Sequence, residues 1–188
     1  MGRTNRQTKH DRIWKLGQQK ARSCSKDLAR KIEKTKEAMN ADFITKSLKC
    51  QPNFLGCFAQ NQFENFTVNQ YPTFMIVNTD SYNMKGSHWL AIGIFEKTIE
   101  IFDPLGFQIF NWNQVPCQLL SFLHRMSLTR RVIVCPQLQS FESHFCGFYC
   151  IFYLILRQFT SLSYIVSFFH LLNRKLHRND SILYKFFK

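Results

Sequence analysis

FCGFYCIFYLIL fills residues 145–156: twelve apolar residues in a row, with Cys146 and Cys150 four apart. How this run is housed decides the fold. A bilayer crossing takes about 20 apolar residues. Here Arg157 and Gln158 end the run, and LSYIVSFFHLL (162–172) resumes it. Two short helices buried in a protein core are expected, not a membrane hairpin. Upstream, TFMIVNTD (73–80), HWLAIGIFE (88–96), TIEIFDP (98–104) and RVIVCPQ (131–137) read as strands, the middle two forming a tight hairpin around Lys97. Pro52 and Gly56 mark a turn region, and Asn83–Ser87 a loop containing Gly86. FITKSLKC (43–50) and VPCQLLSFLHRM (115–126) read as helices, the second with Pro116 in its first turn. The fold class is therefore α+β, with a central, mostly antiparallel sheet flanked by helices.

The 188 residues suffice for one hydrophobic core, and 20 phenylalanines demand one. The net charge is +13, and residues 1–49 carry most of it, with 14 Lys/Arg against 5 Asp/Glu. Such an excess suits a polyanion such as DNA, and equally a solvated face. Residues 1–41 read as a basic, partly disordered arm and 42–188 as the folded domain. Within the arm, SKDLARKIEKTKEAM (25–39) is compatible with a helix N-capped by Ser25, but shows no clear apolar stripe. Seven cysteines, an odd number, and a polar N-terminus without signal-peptide character argue against a disulfide framework and for an intracellular location. No cysteine pair has a partner pair at zinc-finger spacing, so no metal is expected.

Four polar residues fall where elements begin or end. His88 opens a strand, Asp103 closes the next, Gln139 lies in the loop after the fourth, and Cys146 starts the apolar helix. Element ends are where a scaffold presents reactive groups. A thiol at a helix N-terminus faces unpaired N–H groups and the positive end of the dipole, which favours thiolate. An imidazole can exchange its proton, a carboxylate can orient that imidazole, and an amide can donate to an oxyanion. Each residue alone has an ordinary explanation: packing for the cysteine, a turn for Asp-Pro, a surface position for the histidine. His144 is a rival base, but residues two apart point away from each other in most backbones. His10, His124, His170 and His177 lie in the arm, on helices or in the basic tail. Gly147 is expected to allow a tight turn and leave room for substrate. Cys150, one helical turn beyond Cys146, is expected in the core.

From about Leu48 to Cys150 the chain resembles the adenovirus-type cysteine proteases (adenain), which belong to the same broad group as the SUMO proteases. The resemblance rests on PNFLGCF (52–58), MIVNTD (75–80), GSHWLAIGIF (86–95), FDPLGF (102–107) and QSFESHFCGFYC (139–150), in that order. It implies a papain-like fold, a catalytic triad of His88, Asp103 and Cys146, and Gln139 as oxyanion-hole glutamine. It further implies cleavage of precursor proteins near glycine by a monomer that needs no metal, with DNA and an activating peptide as candidate partners in the nucleus or virion. Two departures stand out. The acid is Asp103, where adenovirus enzymes often carry Glu. Cys135, the nearest cysteine upstream of Gln139, does not sit at the spacing of the family's peptide-linking cysteine. A Polinton/Maverick-type element or a DNA virus would be a compatible source.

Two other readings compete. A SUMO or ubiquitin-like deconjugating protease shares His-Trp and Cys-Gly, but that branch usually has Asp before the cysteine, where Phe145 stands, and usually places its glutamine six residues before the cysteine rather than seven. A catalytically silent nucleic-acid-binding relative would have no reason to keep all four polar residues.

Overall fold

The structure is a computed structural model that describes residues 2–33, 39–82, 88–106, 117–172 and 176–188. The loop expected at Asn83–Ser87 and the helix start expected at Pro116 lie outside these residues. The elements run α1 (Gly2–Cys24), α2 (Asp27–Glu33), α3 (Ala41–Leu48), β1 (Phe54–Ala59), β2 (Thr73–Asn78), β3 (Trp89–Ile94), β4 (Thr98–Phe102), α4 (Cys117–Ser127), β5 (Arg131–Val134), α5 (Cys146–Arg157), α6 (Leu162–Leu172) and α7 (Asp180–Phe187). The class is α+β, as expected.

The five strands form one sheet in sequence order. β2–β3 and β3–β4 are antiparallel, but β1–β2 and β4–β5 are parallel. The sheet is therefore mixed, not mostly antiparallel. The difference comes from β1, which the sequence presents as a turn region. Gly56 sits at φ 134° and the register slips between Phe54 and Gly56. This edge strand has no clean alternation of buried and exposed residues to announce it.

Alternation along the central strands splits the core. Met75, Val77, Leu90, Ile92, Ile99 and Ile101 face α4, where Leu119, Phe122 and Leu123 cover them together with Phe63. Phe74, Ile76, Trp89, Ala91 and Phe102 face α5 on the other side. Residues 146–156 of α5 are buried without exception. A helix apolar all round needs cover all round. The sheet supplies one side, and α1, α3, α6 and α7 supply the rest.

That cover corrects the expected arm. Ile13, Gly17, Ala21, Cys24, Leu28 and Ile32 make a buried stripe, at spacings of four and three, along α1 and α2. A Cβ on Gly17 would lie 2.5 Å from Leu156 Cδ2 and 2.8 Å from Phe186 Cε2, so the glycine lets α1 settle directly onto α5 and α7. The His10 ring lies 4.5 Å from Tyr164 and 4.4 Å from Phe168. The stripe escaped sequence reading because three of its members are small and two elements share it. Ser25 Oγ accepts the Asp27 amide at 3.3 Å, but α2 begins at Asp27, so Ser25 stands one residue before the N-cap position expected for it. The tail after residue 173 also contributes to the core, through Ile182, Leu183, Phe186 and Phe187 of α7.

One buried ion pair ties β4 to α5. Glu100, only 4% exposed, accepts from Tyr153 Oη at 2.8 Å and from Arg157 Nε and Nη2 at 2.7 and 3.1 Å. The facing position on β3 is Gly93, where a Cβ would sit 2.6 Å from the tyrosine oxygen. Among the described residues, no helix is long and apolar enough to cross a membrane.

Candidate active site

Asp103 follows β4 directly and starts a tight turn. Its backbone carbonyl accepts from Gly106 N–H at 2.9 Å, and its Oδ1 accepts from Leu105 N–H at 2.9 Å. Gly106 takes φ 68°, and a Cβ there would lie 2.6 Å from Gln137 Cα, so this turn accepts only glycine. The carbonyl of Pro104, inside the same turn, accepts the backbone N–H groups of Leu138 and Gln139 at 2.9 and 2.8 Å. One Asp-Pro-Leu-Gly turn thus fixes the carboxylate and the start of the glutamine loop.

His88 immediately precedes β3 and is 7% exposed. Its Nε2–H donates to Asp103 Oδ1 at 2.7 Å. The Cys146 thiol hydrogen-bonds the same imidazole, and with Nε2 committed, Nδ1 is the nitrogen left for it. Burial alone would pull the imidazolium pKa down. The hydrogen bonds to Asp103 and Cys146, and the charges on both, outweigh burial and push it up to about 9. Asp103 itself is fully buried, and its Oδ2 has no partner among the described residues. The site is therefore arranged to favour the cationic form of His88 next to the sulfur.

Cys146 is the first residue of α5 and is 6% exposed. Phe145, in the N-cap position, provides no side-chain cap, so the first-turn amides keep their donor capacity at the sulfur's end of the helix. Gln139 is 1% exposed. Its Nε2 donates to Ser143 O at 2.7 Å, and its Oε1 has no partner among the described residues. One of the two amide hydrogens is used on Ser143, which leaves the other for a ligand.

The structure therefore brings His88, Asp103 and Cys146 into one hydrogen-bonded series, and joins Gln139 to it through Pro104. His144 is exposed, whereas His88 and Cys146 are buried. Cys150 is fully buried, with its Sγ donating to Trp89 O at 3.4 Å, and burial drives its pKa well up. Cys135 is also buried, and its Sγ donates to the Asp103 carbonyl at 3.0 Å. A thiol facing inward behind the carboxylate is badly placed to link an incoming peptide.

Gly147 serves a different purpose from the one expected. A Cβ at this position would lie 3.2 Å from Cβ and Sδ of Met39, so the space it leaves is filled by Met39 and not held for substrate. Met39 O in turn accepts from Trp89 Nε1 at 2.8 Å. A residue far upstream therefore backs both His88 and Cys146 through their chain neighbours, and no local sequence signal marks it. Among the described residues, no group of three or more His, Cys, Asp or Glu is placed to hold a metal ion.

Comparison with known proteins gives the family of the chain. A family model described as adenovirus endoprotease matches residues 54–188. The protease of Bovine adenovirus 4 is 31% identical over 171 residues, covering 77% of this chain and 82% of that protein. The protease of Human adenovirus A serotype 12 is 33% identical over 121 residues, 59% of this chain. The protease of Bovine adenovirus C serotype 10 is 33% identical over 120 residues. The match spans only 58% and 61% of the length of those last two relatives. With a family match over most of its length, and a relative covered along most of its own, the chain belongs to the adenovirus endoprotease family of cysteine peptidases.

Proposed function

We propose that the chain is a cysteine endopeptidase working through His88, Asp103 and Cys146, with Gln139 and the Cys146 amide as its oxyanion hole. The observation that carries this reading is the buried imidazole held between Asp103 Oδ1 at 2.7 Å and the Cys146 thiol. In this reading the Cys146 thiolate attacks the scissile carbonyl, and the developing oxyanion takes hydrogen bonds from Gln139 Nε2 and Cys146 N–H. The His88 imidazolium gives its proton to the leaving amine, and a thioester remains on Cys146. His88, now neutral, removes a proton from water; the hydroxide displaces the thiolate and frees the acid product. Asp103 holds the ring in orientation and favours its cation throughout.

Protein precursors cut near glycine are the substrates this reading implies, within an infected cell or a virion. Neither metal nor organic cofactor enters the scheme. DNA is the partner suggested by the exposed Arg12, Lys15, Arg22, Lys26 and Arg30 on the outer faces of α1 and α2. Incubating the protein and its Cys146→Ala variant with a peptide library, with and without DNA, tests the scheme. The expected result is cleavage by wild type and none by the variant; equal cleavage by both would overturn it.

A further inference from the structure

The loop between Gln139 and Cys146 is anchored at one residue. Ser143 O accepts the Gln139 side-chain amide at 2.7 Å. Ser143 Oγ accepts the backbone N–H of Phe145 at 3.2 Å, and so orients the peptide leading into Cys146. The Ser143 hydroxyl also hydrogen-bonds the carboxylate of Asp180, the first residue of α7. That carboxylate accepts a second hydrogen bond, from Tyr149 Oη on α5 at 2.9 Å. Next to it, Asn179 Nδ2 donates to Leu138 O at 2.7 Å, and Tyr149 Oη lies 3.3 Å from the same carbonyl. Asn179 occupies the N-cap position of α7 but does not cap it, because its side chain is turned to the loop.

From this connectivity we infer that Ser143, backed by Asp180 across from α7, is the positioning residue for both halves of the oxyanion hole. The inference rests on the proposed peptidase chemistry and deepens it. Neither residue touches the reacting atoms. Ser143 acts through its carbonyl on Gln139 and through its hydroxyl on the Phe145–Cys146 peptide. The hydroxyl can serve both partners at once, because it accepts from Phe145 N–H and donates its own proton to Asp180. Its acceptor direction is therefore fixed by a charge-assisted bond, and charge-assisted bonds are the stronger kind. A hole donor misaimed by this loss costs turnover rather than nucleophilicity.

The test uses Ser143→Ala, Ser143→Thr and Asp180→Ala in the full chain. Turnover of a cleavable peptide, KM and the rate of Cys146 alkylation by iodoacetamide are measured for each. The expected result is a loss of about 10-fold or more in kcat for Ser143→Ala and Asp180→Ala, with KM and alkylation near wild type, and recovery in Ser143→Thr, which keeps the hydroxyl. Unchanged kcat in Ser143→Ala, or alkylation falling in step with kcat, would overturn it. Amide hydrogen exchange at Phe145 decides the matter without activity, with faster exchange expected in Ser143→Ala and unchanged exchange counting against. If wild type proves inactive, the peptidase reading falls separately, and the exchange result still judges whether Ser143 orders this peptide.

Discussion

The carbonyl of Pro104 accepts the amide of Gln139 at 2.8 Å, one residue beyond Asp103, the partner of His88. Acid and glutamine, 36 positions apart in the chain, are therefore set by one turn. A change in that turn moves both, which couples the carboxylate that holds His88 to the placement of Gln139.

The His88 imidazole gives the first prediction. Its pKa is raised from 6.5 to about 9 by Asp103 and Cys146 against the pull of burial. Activity that depends on the imidazolium should fall on the alkaline side as pH passes about 9. Stability follows the same sign: the raised value contributes fully below pH 6.5, and the contribution is lost as pH rises through about 9. Asp103→Ala should move the alkaline limb to lower pH and reduce kcat by about 10²–10⁴. A pH–rate profile with the limb unmoved would show that Asp103 does not govern the imidazole.

Gln139 carries the second. Gln139→Ala should reduce kcat by about 10²–10³ with little change in KM, since its amide is asked to bind charge that develops only in the transition state. Steady-state kinetics read this directly. A rise in KM at constant kcat would place the glutamine in ground-state binding instead.

Packing supplies the third. Gly93→Ala would push a methyl to 2.6 Å from Tyr153 Oη, the group that also bonds Glu100 at 2.8 Å. The cost should be about 1–3 kcal/mol, read by chemical or thermal denaturation. Tyr153→Phe removes the oxygen, so the double variant should lose less than the two single losses added together. Strict additivity would mean that the clash is relieved elsewhere.

The basic outer face of the first helices supplies the fourth. Arg12, Lys15 and Arg22 are exposed, while Ile13, Gly17 and Ala21 between them are buried. Replacing the three cations with Gln should leave the melting temperature close to wild type. It should also weaken DNA binding and flatten its salt dependence by roughly one unit of slope for each lost phosphate contact. Deleting the segment would not isolate this effect, because it strips cover from α5. Unchanged binding by the substituted protein would exclude this face.

The placing together of His88, Asp103 and Cys146 was legible from sequence because each stands at the end of a secondary-structure element. The helices at 146–157 and 162–172 were equally plain, because both are dominated by apolar residues. What escaped depends on long-range packing. The α1–α2 stripe runs through Gly17, Ala21 and Cys24, small residues that carry little apolar signal, and at Gly17 the burial comes from the closeness of Leu156 and Phe186. β1 hid behind Gly56 and its register slip. Gly147 invited a local explanation, yet the reason for it lies at Met39.

α5 is sealed by helices from opposite ends of the chain: Gln18 Nε2 on α1 reaches the carbonyl oxygens of Lys185 and Phe186 on α7, at 3.0 and 3.3 Å. On the ribosome this has a temporal meaning. Until α7 emerges, the side of α5 meant for Leu183, Phe186 and Phe187 has no cover, and Asp180 is not there to hold Ser143. A nascent chain arrested before residue 180 should therefore fail to protect Cys150 from alkylation, whereas the finished chain protects it. Full cover for α5, and with it the contact of Asp180 with Ser143, therefore depends on a helix that leaves the ribosome after every other element described, so the buried state of Cys150 reports the arrival of α7.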